Sequence, residues 1–274
     1  SADFITAEGG AEPPGKTTAK LTWDDQGLYL FAKVTDPDVW SEFPSRDEPL
    51  WKADAVEVFI DADKNRRGYV ELQVSPNNVH FDSWFRSTRA EPGDVTWNAE
   101  LTSAVVVRGT ADNRDDRDDG WDVELAIPWA TVKGRDAAMA VALPPRPGDR
   151  WALNVVRVDK TKDGKASASS WNKITSADYH ALDRMLTVMF ADPFGSTKPA
   201  EAAPAIDAAP MPPLGALTNP TDLEGTGVRV PGPAKLGTPA APLVLPAKVK
   251  REAAPTGAIP LAPQHVTPTP TPSK

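Results

Sequence analysis

Hydrophobic and polar residues alternate along two neighbouring runs of the chain, residues 54–60 and 69–74. Successive side chains of a strand point to opposite faces, so each run sorts its residues onto two faces. One face takes Val56, Val58, Ile60, Val70, Leu72 and Val74, and the other takes Glu57, Phe59, Tyr69, Glu71 and Gln73. The intervening run 61–68 contains Asp, Asn and Gly and predicts a turn. The pattern therefore predicts an antiparallel hairpin with one face in the core and a solvent-exposed face of carboxylates, an amide and aromatic rings.

The same alternation recurs along the first 190 residues and predicts further strands. The charge-dense run 112–120 and the polar run 160–170 predict loops instead. Roughly nine short strands without a sustained helical period are typical of a β-sandwich. We therefore expect an all-β fold, an antiparallel β-sandwich of jelly-roll-like type. The other predicted strands are 18–23, 28–34, 79–85, 95–108, 121–129, 151–158 and 185–190.

Composition divides the chain near Phe194. Every Trp, Tyr and Phe lies at or before Phe194, and 18 of the 29 prolines lie from Pro193 onward. A segment without aromatic residues buries too little apolar surface to offset the roughly 1–2 kcal/mol of backbone entropy lost per ordered residue. We therefore predict a β-sandwich domain over residues 1–194 and an extended Pro/Ala-rich tail over residues 195–274. Its proline stretches, which favour polyproline II, are 210–213, 239–246 and 267–272.

Charge and cysteine content exclude several classes of function. The formal net charge is −8 and the basic residues are scattered, which argues against a nucleic-acid partner. The absence of cysteine excludes disulfides, thiolate metal sites and thiol catalysis. No apolar run approaches the ~20 residues that a membrane span needs. The sequence begins at Ser1 without a methionine, which is typical of a processed or cloned N-terminus, and no signal peptide is visible in it.

Short motifs occur along the domain in a characteristic order and spacing. They are Asp24-Asp25 before Leu28-Tyr29, Asp36-Pro37-Asp38-Val39-Trp40, Trp51 with Asp54-Ala-Val-Glu57-Val-Phe59-Ile-Asp61, Tyr69-Val-Glu71-Leu-Gln73-Val-Ser-Pro76, Gly120-Trp121-Asp-Val-Glu124-Leu-Ala-Ile-Pro128-Trp129 and Gly148-Asp-Arg-Trp151-Ala-Leu-Asn154. With these motifs the chain resembles the family 9 carbohydrate-binding modules and their broader sandwich relatives. The resemblance covers about residues 18–190 and implies a β-sandwich. In sugar-binding members it implies a saccharide end held between two aromatic rings above polar groups.

The resemblance also implies which residues face a ligand. The first stacking ring of the family corresponds to Trp51, and its acidic partner corresponds to Glu57. This combination is physically reasonable, because an indole stacks on the apolar face of a sugar ring. A carboxylate accepts strong, oriented hydrogen bonds from hydroxyl groups.

The remaining ligand positions differ from the family pattern. Gln73 stands where the sugar binders have an arginine. Tyr179 or His180 stands where they have the second tryptophan, and Asn154 is a further hydrogen-bonding candidate.

Alternative interpretations exist for the aromatic and acidic residues. Trp51 could cap the edge of the core rather than form a stacking surface. Glu57 and Glu71 lie on adjacent predicted strands, where neighbours about 5 Å apart could act as a glycosidase pair. Carboxylates on strands are far more often simply solvated, so we predict no enzyme.

The sequence predicts no cofactor, although calcium is possible. Asp61 and Asp63 resemble the start of a calcium loop, and relatives of the family bind calcium. The loop lacks the glycine and the distal glutamate of an EF-hand, so a turn with Asx hydrogen bonds is the alternative. His180 with Met185 and Met189 could ligate haem, although methionine at that spacing in a strand is more typical of a core.

Two functions remain open after these steps. The first is a non-catalytic module that recognises a saccharide through an aromatic and polar surface. The second is a structural accessory subunit of a larger extracytoplasmic or membrane-associated complex, with the Pro-rich tail lying along neighbouring subunits. The partner would be a carbohydrate or other protein subunits, and the location periplasmic or secreted. Neither the sugar nor the protein partner follows from the sequence.

Overall fold

Strands form where the alternation of hydrophobic and polar residues predicts them. The computed structural model describes residues 2–7, 13, 15–87, 93–174, 178–198 and 243–247. This part of the chain contains strands and three short 3-10 helices (Leu50–Lys52, Trp129–Lys133, Leu182–Arg184), none of which could cross a membrane. The strands are β1 (Ala2–Asp3), β2 (Ile5–Thr6), β3 (Thr17–Trp23), β4 (Gly27–Val34), β5 (Ala55–Asp61), β6 (Tyr69–Val74), β7 (His80–Phe85), β8 (Thr102–Arg108), β9 (Gly120–Pro128), β10 (Arg150–Lys160), β11 (Ala166–Ser170), β12 (Leu186–Ala191) and β13 (Leu243–Pro246).

The strands are arranged in two sheets. The first sheet has the order β1-β3-β4-β9-β8. The second has the order β13-β12-β10-β5-β6-β7, and β11 pairs with both β10 and β2. All pairs are antiparallel except β12 with β13. The all-β antiparallel sandwich that the sequence predicts is confirmed.

The hairpin at the centre of the second sheet has the predicted strands and faces. β5 and β6 pair so that Val58 lies opposite Leu72 and Glu57 opposite Gln73. The connecting turn has left-handed backbone at Lys64, with φ of 57°. Because strand side chains alternate, this register places the valines and leucines on one face together and the polar residues on the other.

The main core lies between the two sheets. It takes the inward-facing apolar residues of both, and the largest of these are fully buried. Each such side chain contributes roughly 1.5–3 kcal/mol through removal of apolar surface from water. The core includes Leu28, Leu30, Trp121, Val123 and Ile127 from the first sheet and Val58, Ile60, Leu72, Leu153 and Phe190 from the second.

Two segments differ from the sequence-based expectation. Residues 95–108 are predicted as strand from their first residue, but β8 begins only at Thr102. Asp94 explains the delay, because its carboxylate accepts hydrogen bonds from the backbone and side chain of Thr96 and holds an Asx turn there. The predicted loop 160–170 ends in strand β11. Its Ala and Ser residues carry no hydrophobic alternation, so only pairing with β10 defines this strand.

The predicted tail contains one strand that the sequence does not reveal. Of residues 195–274, the structure describes 195–198 and 243–247. Residues 243–246 form β13, which runs parallel to β12. The proline stretches 210–213 and 267–272 lie outside the described residues, so the division at residue 194 stays a prediction.

Candidate functional site

Polar side chains of the second sheet form two rows on the face turned away from the first sheet. Directly opposed residues of neighbouring strands have Cβ atoms about 4.5–5.5 Å apart, so the members of each row are close together. The first row is Phe81, Gln73 and Glu57 across β7, β6 and β5, and the second is Ser83, Glu71, Phe59 and Asn154 across β7, β6, β5 and β10. We call the five polar members of these rows the polar strip.

The polar strip is buried, so the prediction of a solvent-exposed face is wrong. Its members are at most 5% exposed. On one side of the strip, Ile174 and Leu182 belong to a buried apolar cluster with Phe59. On the other side, Leu50 packs with Phe81 in a second cluster. The strip therefore lies between two apolar clusters, and its hydrogen-bonding groups are shielded from bulk water.

Trp51 is the exposed aromatic ring beside the first row. It lies in the 3-10 helix Leu50–Lys52, whose first residue, Leu50, is buried and anchors the turn. Trp51 itself is 43% exposed. Its ring meets Phe81 edge to face, with ring centroids 4.9 Å apart. Trp51 thus presents ring surface to solvent, which a buried core cap would not do.

His180 lies among the rings at the other side of the strip. Its ring centroid is 5.1 Å from that of Phe59 and 4.9 Å from that of Phe85, both in edge geometry. Its Nδ1 is 2.7 Å from the Tyr69 hydroxyl, and its Nε2 is 3.8 Å from a carboxylate oxygen of Glu71. These contacts place both ring nitrogens of His180 beside protein groups. These contacts do not favour haem ligation by His180.

The other sequence-predicted ligand residues are placed differently from one another. Gln73 donates a hydrogen bond from Nε2 to Glu71 Oε1 at 2.7 Å. Its Oε1 is buried and has no hydrogen-bond partner among the described residues. Asn154 Oδ1 accepts a hydrogen bond from the neighbouring Val155 N–H at 3.0 Å. Tyr179 is half-buried and packs on the cluster that contains Phe59. The structure therefore brings Gln73 and Glu57 together as cross-strand neighbours. Phe81 pairs with Gln73 on the other side and contacts the Trp51 ring.

The two aspartates predicted as a weak calcium site accept hydrogen bonds within their own loop. Asp61 Oδ2 accepts from the Arg66 N–H at 3.0 Å, and Asp63 accepts from the backbone and side chain of Asn65. Burial raises the pKa of Asp61 to about 6. These bonds are those of the predicted Asx turn. Calcium binding at Asp61 and Asp63 stays a prediction.

A separate buried acidic cluster was not evident from the sequence. Asp36, Asp54 and Asp159 each place one carboxylate oxygen within 4.8 Å of the others, a spacing that could hold a metal ion. The Arg157 guanidinium donates to Asp36 at 2.9 Å and to Asp159 at 2.7 Å. The carboxylate of Asp54 accepts instead from the N–H groups of Trp40 and Lys160. A protein cation thus already supplies positive charge to this cluster.

Phe81 and Phe59 are the site residues that the sequence did not single out. They hold the rings of Trp51 and His180 in place from the sheet. The alternation in 79–85 does place Phe81 on the polar face, so a signal existed for it. What the sequence lacked was the contact with Trp51, which comes from a distant loop.

Comparison with known proteins assigns the chain to a family. The family described as "Carbohydrate family 9 binding domain-like" matches residues 4–191. The chain belongs to this family. The resemblance carried by the motifs is therefore confirmed, and the match extends further toward the N-terminus than the motifs do.

Individual relatives of this family 9 chain include both enzymes and a short extracellular protein. An endo-1,4-beta-xylanase A of Thermotoga neapolitana is 27% identical over 175 residues, which cover 62% of this chain and 14% of that enzyme. An "Extracellular protein" of Arthroderma benhamiae is 22% identical over 189 residues, covering 65% of this chain and 80% of that protein. The chain thus spans about a tenth of the length of the first curated enzymes it matches.

A solved structure shares the fold. A candidate carbohydrate-binding protein from Bacteroides uniformis superposes with a TM-score of 0.53 at 13% identity, covering 69% of this chain and 84% of that one. At this identity the likeness concerns the sandwich alone.

Proposed function

We propose that this family 9 domain is a non-catalytic module that binds a saccharide between Trp51 and the polar strip. The observation that carries the proposal is the link from the exposed Trp51 ring through Phe81 to Gln73. Trp51 contacts Phe81, and Phe81 is the cross-strand neighbour of Gln73. The Gln73 carbonyl oxygen is buried and has no partner among the described residues. A ligand hydroxyl that donates to this oxygen would satisfy it.

Stacking and hydrogen bonding would divide the recognition of the sugar between them. The Trp51 indole supplies an apolar face for the C–H groups of a sugar ring. The Glu57 carboxyl group, next to Gln73, supplies an acceptor whose hydrogen bonds are strengthened because it is shielded from water. His180 and Tyr179 contribute the apolar and hydrogen-bonding wall at the far side of the strip.

The arrangement supports binding rather than bond cleavage. Glycoside hydrolysis needs one carboxyl group to protonate the leaving group and a second to attack or to activate water. Glu71 is engaged by Gln73 and lies close to His180. Glu57 lies opposite Gln73 rather than Glu71, so the two carboxyl groups do not form the directly opposed pair, about 5 Å apart, of a retaining glycosidase. The xylanase relatives are far longer than the region they share with this chain, so their activity is not extended to it.

We also propose an extracytoplasmic location, periplasmic or secreted. Support comes from the relative described as an extracellular protein, which the alignment covers over 80% of its length. Fractionation of the native host into cytoplasmic, periplasmic and secreted pools, with antibody detection, tests this placement, and a purely cytoplasmic signal would contradict it.

Isothermal titration of the full chain with mono- and oligosaccharides tests the proposed binding. We expect saturable heat with at least one soluble sugar and at least a tenfold loss of affinity in Glu57→Gln, which keeps the shape and replaces one acceptor oxygen by an amide group. The matched control is Glu124→Gln, an exposed glutamate on the opposite sheet, which should bind as the unmodified chain does. Absence of heat with every sugar, together with co-purification in a stoichiometric complex, would contradict the proposal and favour the accessory-subunit hypothesis.

A further inference from the structure

The edge of β12 carries an added strand that comes from far along the chain. Val188 pairs with Leu243 and Phe190 with Leu245, in parallel register. Beyond the strand, the Ala247 N–H donates to the Ala191 carbonyl at 3.2 Å. On its other side β12 pairs with β10, so β13 occupies what would otherwise be the outer edge of the second sheet.

The Trp23 side chain contacts the backbone of this added strand. The indole Nε1–H lies 3.0 Å from the carbonyl oxygen of Ala191 and 3.0 Å from that of Leu245, so one donor bridges the two strands. The Trp23 ring also meets Phe190 edge to face, with centroids 5.4 Å apart. Ala247 continues the contact as a bridge to Trp23 itself. The first sheet therefore takes part in binding a strand of the second.

The added strand supplies one core side chain. Leu245 is 2% exposed and belongs to the main core together with Trp23 and Phe190. Burial of a leucine is worth roughly 1.5–3 kcal/mol. Pro246, the next residue, has no N–H and so suits the end of a ladder at a sheet edge. A segment that binds at the β12 edge thus needs an extended backbone, a leucine at the core position and a proline after it.

The covalent connection to this strand is long. About 40 residues separate Lys198 from Leu243, and closing a longer loop costs only a little more entropy than closing a shorter one. Covalent linkage replaces the bulk concentration of the segment by an effective one, which is on the order of millimolar for short linkers and lower for longer ones. The segment of a second copy competes with it when the protein concentration approaches that value, as in domain swapping.

We propose that the β12 edge and Trp23 form a strand-addition site for the segment 243–247, occupied by the chain's own segment in dilute solution and exchangeable with that of a second copy. The partner that fits is therefore another molecule of this protein, bound by β-augmentation. The proposal is independent of saccharide binding, because the site lies along the sheet edge at β12 and does not include Trp51 or the polar strip.

Cysteine crosslinking tests occupancy of the site in the full chain, which has no native cysteine. Met189 and Val244 are directly paired, and neighbouring strands lie about 4.8 Å apart, within the range that a disulfide spans. We expect Met189→Cys with Val244→Cys to form an intramolecular disulfide under mild oxidation at low micromolar concentration. The control pair, Met189→Cys with Val106→Cys at an exposed position of β8 in the other sheet, should crosslink at least fivefold less, and equal crosslinking of the two pairs would overturn the site.

Mixing the two single variants tests exchange. Met189→Cys and Val244→Cys, combined near millimolar concentration, should give a mixed disulfide dimer whose yield falls at least fivefold on dilution to micromolar. Adding Leu245→Asp to the Val244→Cys chain should abolish the mixed dimer, because a carboxylate cannot replace the buried leucine. Crosslinking within one chain but no mixed dimer at any concentration would overturn the exchange, and a mixed dimer insensitive to Leu245→Asp would overturn recognition by the groove.

Discussion

The Trp51 ring stands edge to face on the Phe81 ring, with centroids 4.9 Å apart and the planes 71° from parallel. Phe81 is buried in the sheet, whereas Trp51 is 43% exposed. A T-shaped contact of this kind restrains the Trp51 ring while part of its surface stays exposed to solvent. If the proposed saccharide stacks on Trp51, this contact would lower the entropic cost of stacking, because the ring is already restrained.

Trp51→Ala should weaken saccharide binding and leave the fold intact. Loss of stacking on the order of 1 kcal/mol corresponds to roughly a fivefold weaker affinity. Isothermal titration with a sugar that binds the unmodified chain measures the change, and circular dichroism checks the fold. The control is Phe194→Ala, which removes an aromatic ring that is 96% exposed and outside the site. Unchanged affinity of Trp51→Ala would place the stacking surface elsewhere.

Tyr69→Phe should lower the free energy of unfolding by about 1 kcal/mol, because it removes the hydroxyl that lies 2.7 Å from His180 Nδ1 in a buried setting. Urea unfolding measures this value. Hydrogen exchange of residues 178–185 should increase as well, since His180 would lose a contact with the sheet.

The matched control for this change is Tyr29→Phe. Its hydroxyl donates to Asp24 Oδ1 at 3.1 Å on the other sheet, in a half-exposed position where water replaces the bond. We expect a loss below about 0.5 kcal/mol. Equal losses of unfolding free energy in the two variants would show that the Tyr69–His180 contact stabilises the domain no more than an exposed hydrogen bond does.

The sequence was sufficient for the elements whose signal is local. Alternation of polar and apolar residues in β5 and β6 determines both the strands and their faces, so the pattern alone places Glu57, Glu71 and Gln73 on one face. The register, which pairs Glu57 with Gln73 rather than with Glu71, comes only from the structure. Trp51 could be identified because it precedes this hairpin in a recognisable motif. Period-two patterns persist in the folded domain because a one-residue slip would turn the valines toward solvent.

The features that the sequence missed depend on contacts between distant segments. β11 has only Ala and Ser, and β13 is a short Leu-Val-Leu-Pro run within a Pro/Ala-rich segment, so neither shows the alternation of polar and apolar residues that predicts a strand. On one side of the polar strip, Ile174 and Leu182 pack with Phe59, although they come from later in the chain. No local sequence pattern predicts such packing between distant segments. The pairing of Arg157 with Asp36 likewise joins residues 121 positions apart.

Arg157→Met should destabilise the domain by about 3–5 kcal/mol, because it leaves the carboxylates of Asp36 and Asp159 buried without their cation. Urea unfolding at pH 7 measures the loss. The control is Arg108→Met, whose ion pair with Asp122 is half-exposed and should be worth less than about 1 kcal/mol. A loss of that small size for Arg157→Met would contradict the structural importance of the buried cluster.

Asp54 should make the stability of the domain depend on pH. Burial raises the pKa of Asp54 to about 9, with the neighbouring Asp36 adding to the effect, while hydrogen bonds from Trp40 and Lys160 oppose it. In the unfolded chain the pKa of an aspartate is about 3.9. Between these values the folded state holds a proton that the unfolded state has released. The free energy of unfolding therefore falls as pH rises, by at most about 1.4 kcal/mol per pH unit.

Asp54→Asn removes this titration, since an amide stays neutral throughout. The difference in free energy of unfolding, variant minus unmodified chain, should therefore grow more favourable to the variant from pH 5 to pH 8, whatever constant cost the amide carries for its two backbone hydrogen bonds. Urea unfolding at four pH values measures it. Asp116→Asn, at an exposed aspartate, is the control and should give a difference that does not change with pH in this range. A constant difference for Asp54→Asn would mean that Asp54 is already ionised in the folded domain, with the Arg157 guanidinium and the two backbone N–H groups compensating its charge.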